Sequence, residues 1–151
     1  MAFVTANAGV KVNIKSQPDA FWTHIQLSTN WFRVAVPDLY TSIVLPDPSN
    51  SAVRTVTYGQ SSQNIKSSTE RITENSQAKL TYTVTAGDIL QKYKVNTFQA
   101  TILYPNDKWV EWNWTYNYLP EDQKNVIDLD ADIAEIAAKT LAKLDNYLKK
   151  Q

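Results

Sequence analysis

The sequence predicts an α+β fold: a curved antiparallel sheet of short strands, closed over an apolar interior by one long C-terminal helix. Three observations predict it. Val110–Tyr118 places Trp112, Trp114, Tyr116 and Tyr118 on one face of a strand. Asp128–Lys149 then changes period, bringing Ile133, Ile136, Ala137, Thr140, Leu141 and Leu144 to one side of a helix. Between these features and residue 40, alternating runs are divided by short turns, which is the pattern of a meander. An aromatic wall opposite a helix of small and aliphatic residues reads as a container for a small molecule.

Each element has its own local signal. Val10, Val12 and Ile14 alternate with polar residues and read as a strand, and Ser16 and Pro18 then open a helix over Asp19–Gln26. A second short helix covers Ser28–Val34 and stops before Pro37. Tyr40–Leu45 and Val53–Tyr58 are strands, the latter with Val56 and Tyr58 on one face. Ile65–Thr73 is mixed, so its facing stays open. Leu80, Tyr82 and Val84 alternate with threonines, and Tyr93–Tyr104 sets Phe98, Ala100 and Ile102 opposite polar neighbours. Pro105-Asn106-Asp107 turns the chain into the aromatic strand. In the last helix, acidic residues gather at the start and lysines at the end, which suits the helix dipole. The 151 residues read as one domain, 1–151, with no linker or repeat.

Composition narrows the function classes. Fifteen Lys and Arg balance fifteen Asp and Glu, so no global field draws the chain to nucleic acid or an anionic membrane. No cysteine and one histidine speak against a zinc site, and no metal or cofactor is expected. Asp128, Asp130 and Asp132 have a calcium-loop spacing but lack its glycine and terminal glutamate. Dinucleotide, phosphate-loop and nucleophile-elbow motifs do not occur. Met1–Val10 is a poor secretory signal and no stretch approaches the ~20 apolar residues of a membrane span. A cytoplasmic monomer is the expectation.

The order of elements, with several local motifs, resembles the plant major latex proteins. Pro18-Asp19-Ala20-Phe21-Trp22, Ile25 and Ser28-Thr29 are similar to that family's first-helix signature, and Pro37, Tyr40, Ser42 and Ile43 continue it. Ala86-Gly87-Asp88-Ile89-Leu90, Tyr93-Lys94, Phe98 and Ala100-Thr101 resemble its Gly-Asp-Leu-Leu-x-x-Tyr-Lys segment. Val110-Glu111-Trp112 and Asp145-Asn146-Tyr147-Leu148 agree as well. The resemblance implies the helix-grip fold of the birch-pollen-allergen and pathogenesis-related class 10 proteins. In that fold a seven-stranded antiparallel sheet wraps a long C-terminal helix, with two short helices between strands 1 and 2, around a large hydrophobic cavity. It also implies a sterol, hormone, flavonoid, terpenoid or alkaloid ligand, a role in plant defence, or an enzyme of specialised metabolism. One departure is plain: relatives carry a glycine-rich loop after the second strand, where this chain has Pro46-Asp47-Pro48-Ser49-Asn50-Ser51. Prolines remove the donors from which a phosphate-binding nest is built.

The expected cavity lining follows from strand and helix parity: Val56, Tyr58, Leu80, Tyr82, Val84, Phe98, Ala100, Ile102, Trp112, Trp114, Tyr116 and Tyr118 from the sheet, and Ile133, Ile136, Ala137 and Thr140 from the helix. Two readings stay open. One is storage, transport or biosynthetic handling of a small hydrophobic metabolite. The other is a cofactor-free cyclase or isomerase acting on a terpenoid, iridoid or alkaloid intermediate. For the second, His24 on the inward side of the first helix would move a proton. Tyr82 or Tyr116 would hold a carbonyl or enol oxygen. Glu70 and Asp132 are the acidic candidates, since a carboxylate in an apolar pocket has a raised pKa.

Overall fold

A computed structural model describes residues 2–151. Strand β1 is Val4–Asn13, followed by α1 (Pro18–Gln26), α2 (Ser28–Ala35), β2 (Tyr40–Val44), β3 (Val53–Tyr58), β4 (Ser67–Asn75) and β5 (Lys79–Gly87). Then come α3 (Asp88–Tyr93), β6 (Thr97–Leu103), β7 (Trp109–Tyr118), a 3-10 turn at Pro120–Asn125, and α4 (Leu129–Lys149). The seven strands form one antiparallel sheet in the order β1-β7-β6-β5-β4-β3-β2. This is the architecture the resemblance implied, with both short helices lying between strands 1 and 2.

Register pairs small residues with large ones at one edge of the sheet. Ala6 sits opposite Tyr116, Ala8 opposite Trp114 and Val10 opposite Trp112. Small side chains on the edge strand thus make room for large rings on its neighbour. The same smallness hid half of β1 from sequence reading, which began the strand at Val10 although it starts at Val4. Helix α3 is the other departure: the sequence reading ended a strand at Gly87 and began the next at Tyr93. In the structure Ile89 and Tyr93, four residues apart and both buried, pack one helical turn onto the end of the sheet. Gly87 makes the entry possible with φ +112°, where a Cβ would come within 2.5 Å of the Ser67 carbonyl oxygen.

Helix α4 buries Leu129, Ile133, Ile136, Ala137, Thr140, Leu141 and Leu144 against the sheet and the two short helices. Each fully buried leucine or isoleucine contributes roughly 1.5–3 kcal/mol of transfer free energy. The end of α4 is clipped to the β1–α1 turn by Asp145, which is 5% exposed. Its carboxylate accepts from the Lys15 and Ser16 amides at 3.0 and 2.9 Å and from Ser16 Oγ at 2.7 Å. Ser16 therefore serves α4; the helix cap of α1 falls to Gln17, with Pro18 in the first turn.

Candidate functional site

Parity places Arg54, Val56 and Tyr58 of β3 on the concave face, beside Ser68 and Glu70 of β4, Tyr82 of β5 and Trp112 of β7. Helix α2 and β2 close over them with Phe32, Tyr40 and Ile43, leaving a small void of about 10 Å³. That volume holds roughly one water molecule. The large cavity expected from the sequence is thus corrected by the structure. Leu80, Phe98, Ala100, Ile102, Trp114, Ala137 and Leu141 are each no more than 2% exposed and fill the interior themselves. The alanines of α4 do not thin the wall of a chamber either, because Ala142 is exposed and Ala134 and Ala138 are only half-buried.

At the void lies a charged pair. Arg54 Nε donates to Glu70 Oε1 at 3.0 Å, with the residues 2% and 4% exposed. Arg54 also donates to Ser28 Oγ at 2.7 Å and Thr29 Oγ1 at 3.2 Å, which ties the pair to the start of α2. Its guanidinium lies 6.0 Å from the centre of the Tyr82 ring. Burial raises the Glu70 carboxyl above the usual carboxylate range, and the Arg54 charge and hydrogen bond pull it partly back. The Tyr40 hydroxyl is paired with Thr140 Oγ1 of α4 at 2.7 Å. Among the described residues, Trp112 Nε1 is buried without a hydrogen-bond partner, as is Ser68 Oγ. The indole nitrogen is near enough to the Tyr82 oxygen to lower its pKa slightly, but no well-formed hydrogen bond joins them. Tyr58 is partly exposed as a residue, yet desolvation of its phenol oxygen raises it strongly, as it does Tyr82.

The residues predicted as a lining thus divide. Val56, Tyr58, Tyr82, Trp112 and Glu70 meet at the void, and Thr140 reaches it through Tyr40. Leu80, Val84, Phe98, Ala100, Ile102, Ile133 and Ala137 are core packing outside it. Trp114 and Tyr116 belong to a separate cluster: Trp114 Nε1 donates to Asp130 at 3.0 Å, while Tyr116 stacks on Phe98 and neighbours half-buried Tyr118. Burial first, then Asp130, raise the Tyr116 phenol. Arg54 was missed, although its place two residues before Val56 put a charge on the inward parity of β3.

His24 is corrected more sharply. Phe21, Trp22 and Ile25 take the buried positions of α1, at 0%, 2% and 0% exposed. His24 turns instead to an outer groove of about 620 Å³ beside Trp31 and Tyr147. Its ring lies 4.5 Å from Trp31, and its Nδ1–H donates to the Ala20 carbonyl at 2.8 Å. It shares no wall with Glu70, Tyr82 or Tyr116.

The chain opens at the other side of α4. A polar recess of about 230 Å³ lies between Ser61–Ile65 and Asp132, Glu135, Ile136 and Lys139. Asp132 is tied there by the hydroxyl of Tyr93 and by Asn64 Nδ2 at 3.2 Å, so it is a rim residue rather than an interior acid. The glycine-free loop closes on itself: Asp47 accepts from the Ser49 amide and hydroxyl at 3.0 and 2.7 Å, and Asn50 accepts from Ala52. Those bonds hold the Asp47 carboxyl below the ordinary value. Among the described residues no cluster of His, Asp and Glu could hold a metal, and no helix is long and apolar enough to cross a membrane.

Residues 4–151 match the pathogenesis-related protein Bet v 1 family. The chain belongs to that family. A relative from Arabidopsis thaliana, MLP-like protein 423, is 32% identical over 94% of this chain and 93% of its own length. The major-latex-protein resemblance therefore holds. Solved structures share the fold at lower identity. Truncated norcoclaurine synthase from Thalictrum flavum has a TM-score of 0.77 and 13% identity, covering 100% of this chain and 98% of that one. Major latex-like protein 151 of Panax ginseng has a TM-score of 0.66 and 15% identity, covering 91% and 96%.

The phenols supply a pH prediction. Tyr40, Tyr58, Tyr82, Tyr93 and Tyr116 are raised chiefly by burial, and Tyr104 by its hydrogen bond to Asp19, which makes six of eight tyrosines. A phenol raised on folding stabilises the native state fully below its unfolded value of about 10, and that contribution is lost as pH rises above it. Phenolate absorbance of the native protein will therefore lag that of the denatured chain above pH ~10, and unfolding will set in as it catches up. Superimposed native and denatured titration curves would contradict this burial.

Proposed function

We propose that this protein binds a small, largely hydrophobic metabolite on the concave face of its sheet beneath α2, as a cytoplasmic monomer that stores, carries or hands on the molecule. The observation that carries this reading is the Arg54–Glu70 pair, with the hydroxyls of Tyr58 and Tyr82 and the indole of Trp112, set around a void in an otherwise apolar interior. A fold does not need such a pair, because well-packed apolar residues in its place are often neutral or stabilising. Polar groups converging in an apolar pocket are what a binding site requires for orientation. Family membership supports hydrophobic-ligand binding or a related enzyme activity. Burying about 300 Å² of ligand surface would contribute roughly 7 kcal/mol before the costs of association. Part of that gain must offset displacement of the rings that now fill the interior.

A second reading keeps the same site as a cofactor-free cyclase or isomerase, favoured by Glu70 held at a raised pKa beside Tyr82. The Thalictrum flavum synthase of this fold has been solved with dopamine and hydroxybenzaldehyde. Mass spectrometry of small molecules that co-purify from the native tissue tests both readings. A bound apolar metabolite, returned unchanged, supports carriage. Conversion that stops in Tyr82→Phe while binding persists supports catalysis. A protein that retains no small molecule, and whose tryptophan fluorescence answers to none of the tissue's apolar extract, is not a container.

A further inference from the structure

We infer that the interior site selects a neutral molecule bearing a carbonyl group (a ketone, aldehyde or enone), whose oxygen accepts from the indole N–H of Trp112 and from the hydroxyl of Tyr58 or Tyr82. The inference rests on the reading of the interior as a binding site and adds the chemistry of its ligand.

An indole N–H can only donate, and Trp112 Nε1 is buried, 4% exposed as a residue, near the Tyr82 oxygen but without a well-formed hydrogen bond to any described residue. Leaving such a group unmade is unfavourable, so a buried orphan needs a reason. Trp112 lines the void together with Tyr58 and Tyr82, whose hydroxyls make no hydrogen bond among the described residues. Tyr40, the third phenol there, is already satisfied by Thr140. Three groups able to donate therefore border about 10 Å³, which is the room of one oxygen atom.

Charge restricts the guest further. Arg54 and Glu70 neutralise each other across 3.0 Å, so the site has no net charge to offer. An ionic ligand, carboxylate or ammonium, would lose its hydration in a low-dielectric interior and find no net opposite charge there in return. A hydrocarbon would leave the Trp112 N–H unmatched. A neutral carbonyl, with two lone pairs and no proton to place, accepts from that N–H and from one of the two hydroxyls at once. Sites built to hydrogen-bond one substrate oxygen reject the analogue lacking it far more strongly than they discriminate by a methylene.

The test uses two probes of one shape on the full chain: 1-indanone and its hydrocarbon indane. Calorimetric titration should show indanone binding about tenfold more tightly or better, although indane is the more hydrophobic. The five tryptophans give five indole N–H signals in a nitrogen–proton correlation spectrum, in which loss of one in Trp112→Phe would assign Trp112. That signal should move with indanone and stay with indane. Tyr82→Phe keeps every carbon atom and provides a second variant should Trp112→Phe fold poorly; in either, the preference should fall several-fold. Equal affinities, a motionless Trp112 signal with indanone bound, or a preference unchanged in both variants would overturn the carbonyl assignment while leaving the interior a binding site. Binding of neither probe would overturn the interior site itself.

Discussion

Replacing Glu70 with Leu will destabilise the protein by about 3–5 kcal/mol, and replacing Arg54 with Met will do the same. The double replacement will recover most of that loss. Each single change strands one charge in an interior where its partner, 3.0 Å away, was its main compensation. The neighbours cannot make up the difference. Ser28 and Thr29 offer Arg54 neutral oxygens only, and Glu70 accepts no protein hydrogen bond besides that of Arg54 among the described residues. The double variant strands nothing and fills the same space with apolar atoms. Denaturant unfolding of the four proteins completes the cycle. A coupling near zero, with single losses below about 1 kcal/mol, would mean that the pair behaves as a surface salt bridge despite its burial.

Acidity gives the same cycle a second readout. Glu70 is raised above 4.5 by burial, so the native state holds its proton more tightly than the unfolded chain. Native stability must therefore fall as pH rises from 4.5 through the higher folded value, by an amount set by the size of the shift. The double variant lacks that slope. Its stability relative to the natural sequence will improve as pH increases across the window, which is opposite in sign to what an exposed, well-paired glutamate would give.

Much of this arrangement was legible in the residues. Period-two alternation placed the rings of β7 and the side chains of β3, β5 and β6 on the correct face, and the 3- and 4-residue spacing of α4 named its buried stripe. Glu70 lay on a strand whose polar sequence hid its facing; pairing with β3 decides it, since Glu70 stands directly across from Arg54. His24 went wrong because helical spacing from Phe21 defines a neighbourhood, not a direction. With Phe21, Trp22 and Ile25 all turned inward, the next residue round the helix faces out. Whether an aromatic face lines a chamber or fills it cannot be read from alternation at all. That depends on rotamers and on how closely α4 approaches the sheet, neither of which leaves a periodic trace.

The filled interior can be challenged by hollowing it out. Phe98 is fully buried, stacks on Tyr116 with ring centres 6.2 Å apart, and lies on an interior strand of the sheet. Phe98→Ala will cost about 3–5 kcal/mol, from lost transfer free energy and from the cavity left behind. At this chain length that corresponds to a fall in Tm of roughly 6–20 °C. The size of the loss reports on packing. A well-packed ring forfeits its contacts outright, whereas a ring bordering an existing chamber would lose less, because part of its surface touched nothing. Indane should then separate the cases again. In Phe98→Ala the new apolar space binds the hydrocarbon and restores stability with concentration, as any ligand specific to the native state must. In the natural sequence, with its rings in place, indane should raise Tm far less. Equal thermal shifts in both proteins would mean that the interior already accommodates an apolar guest without displacing Phe98, and the site would then be a ready chamber instead of one that its ligand must open.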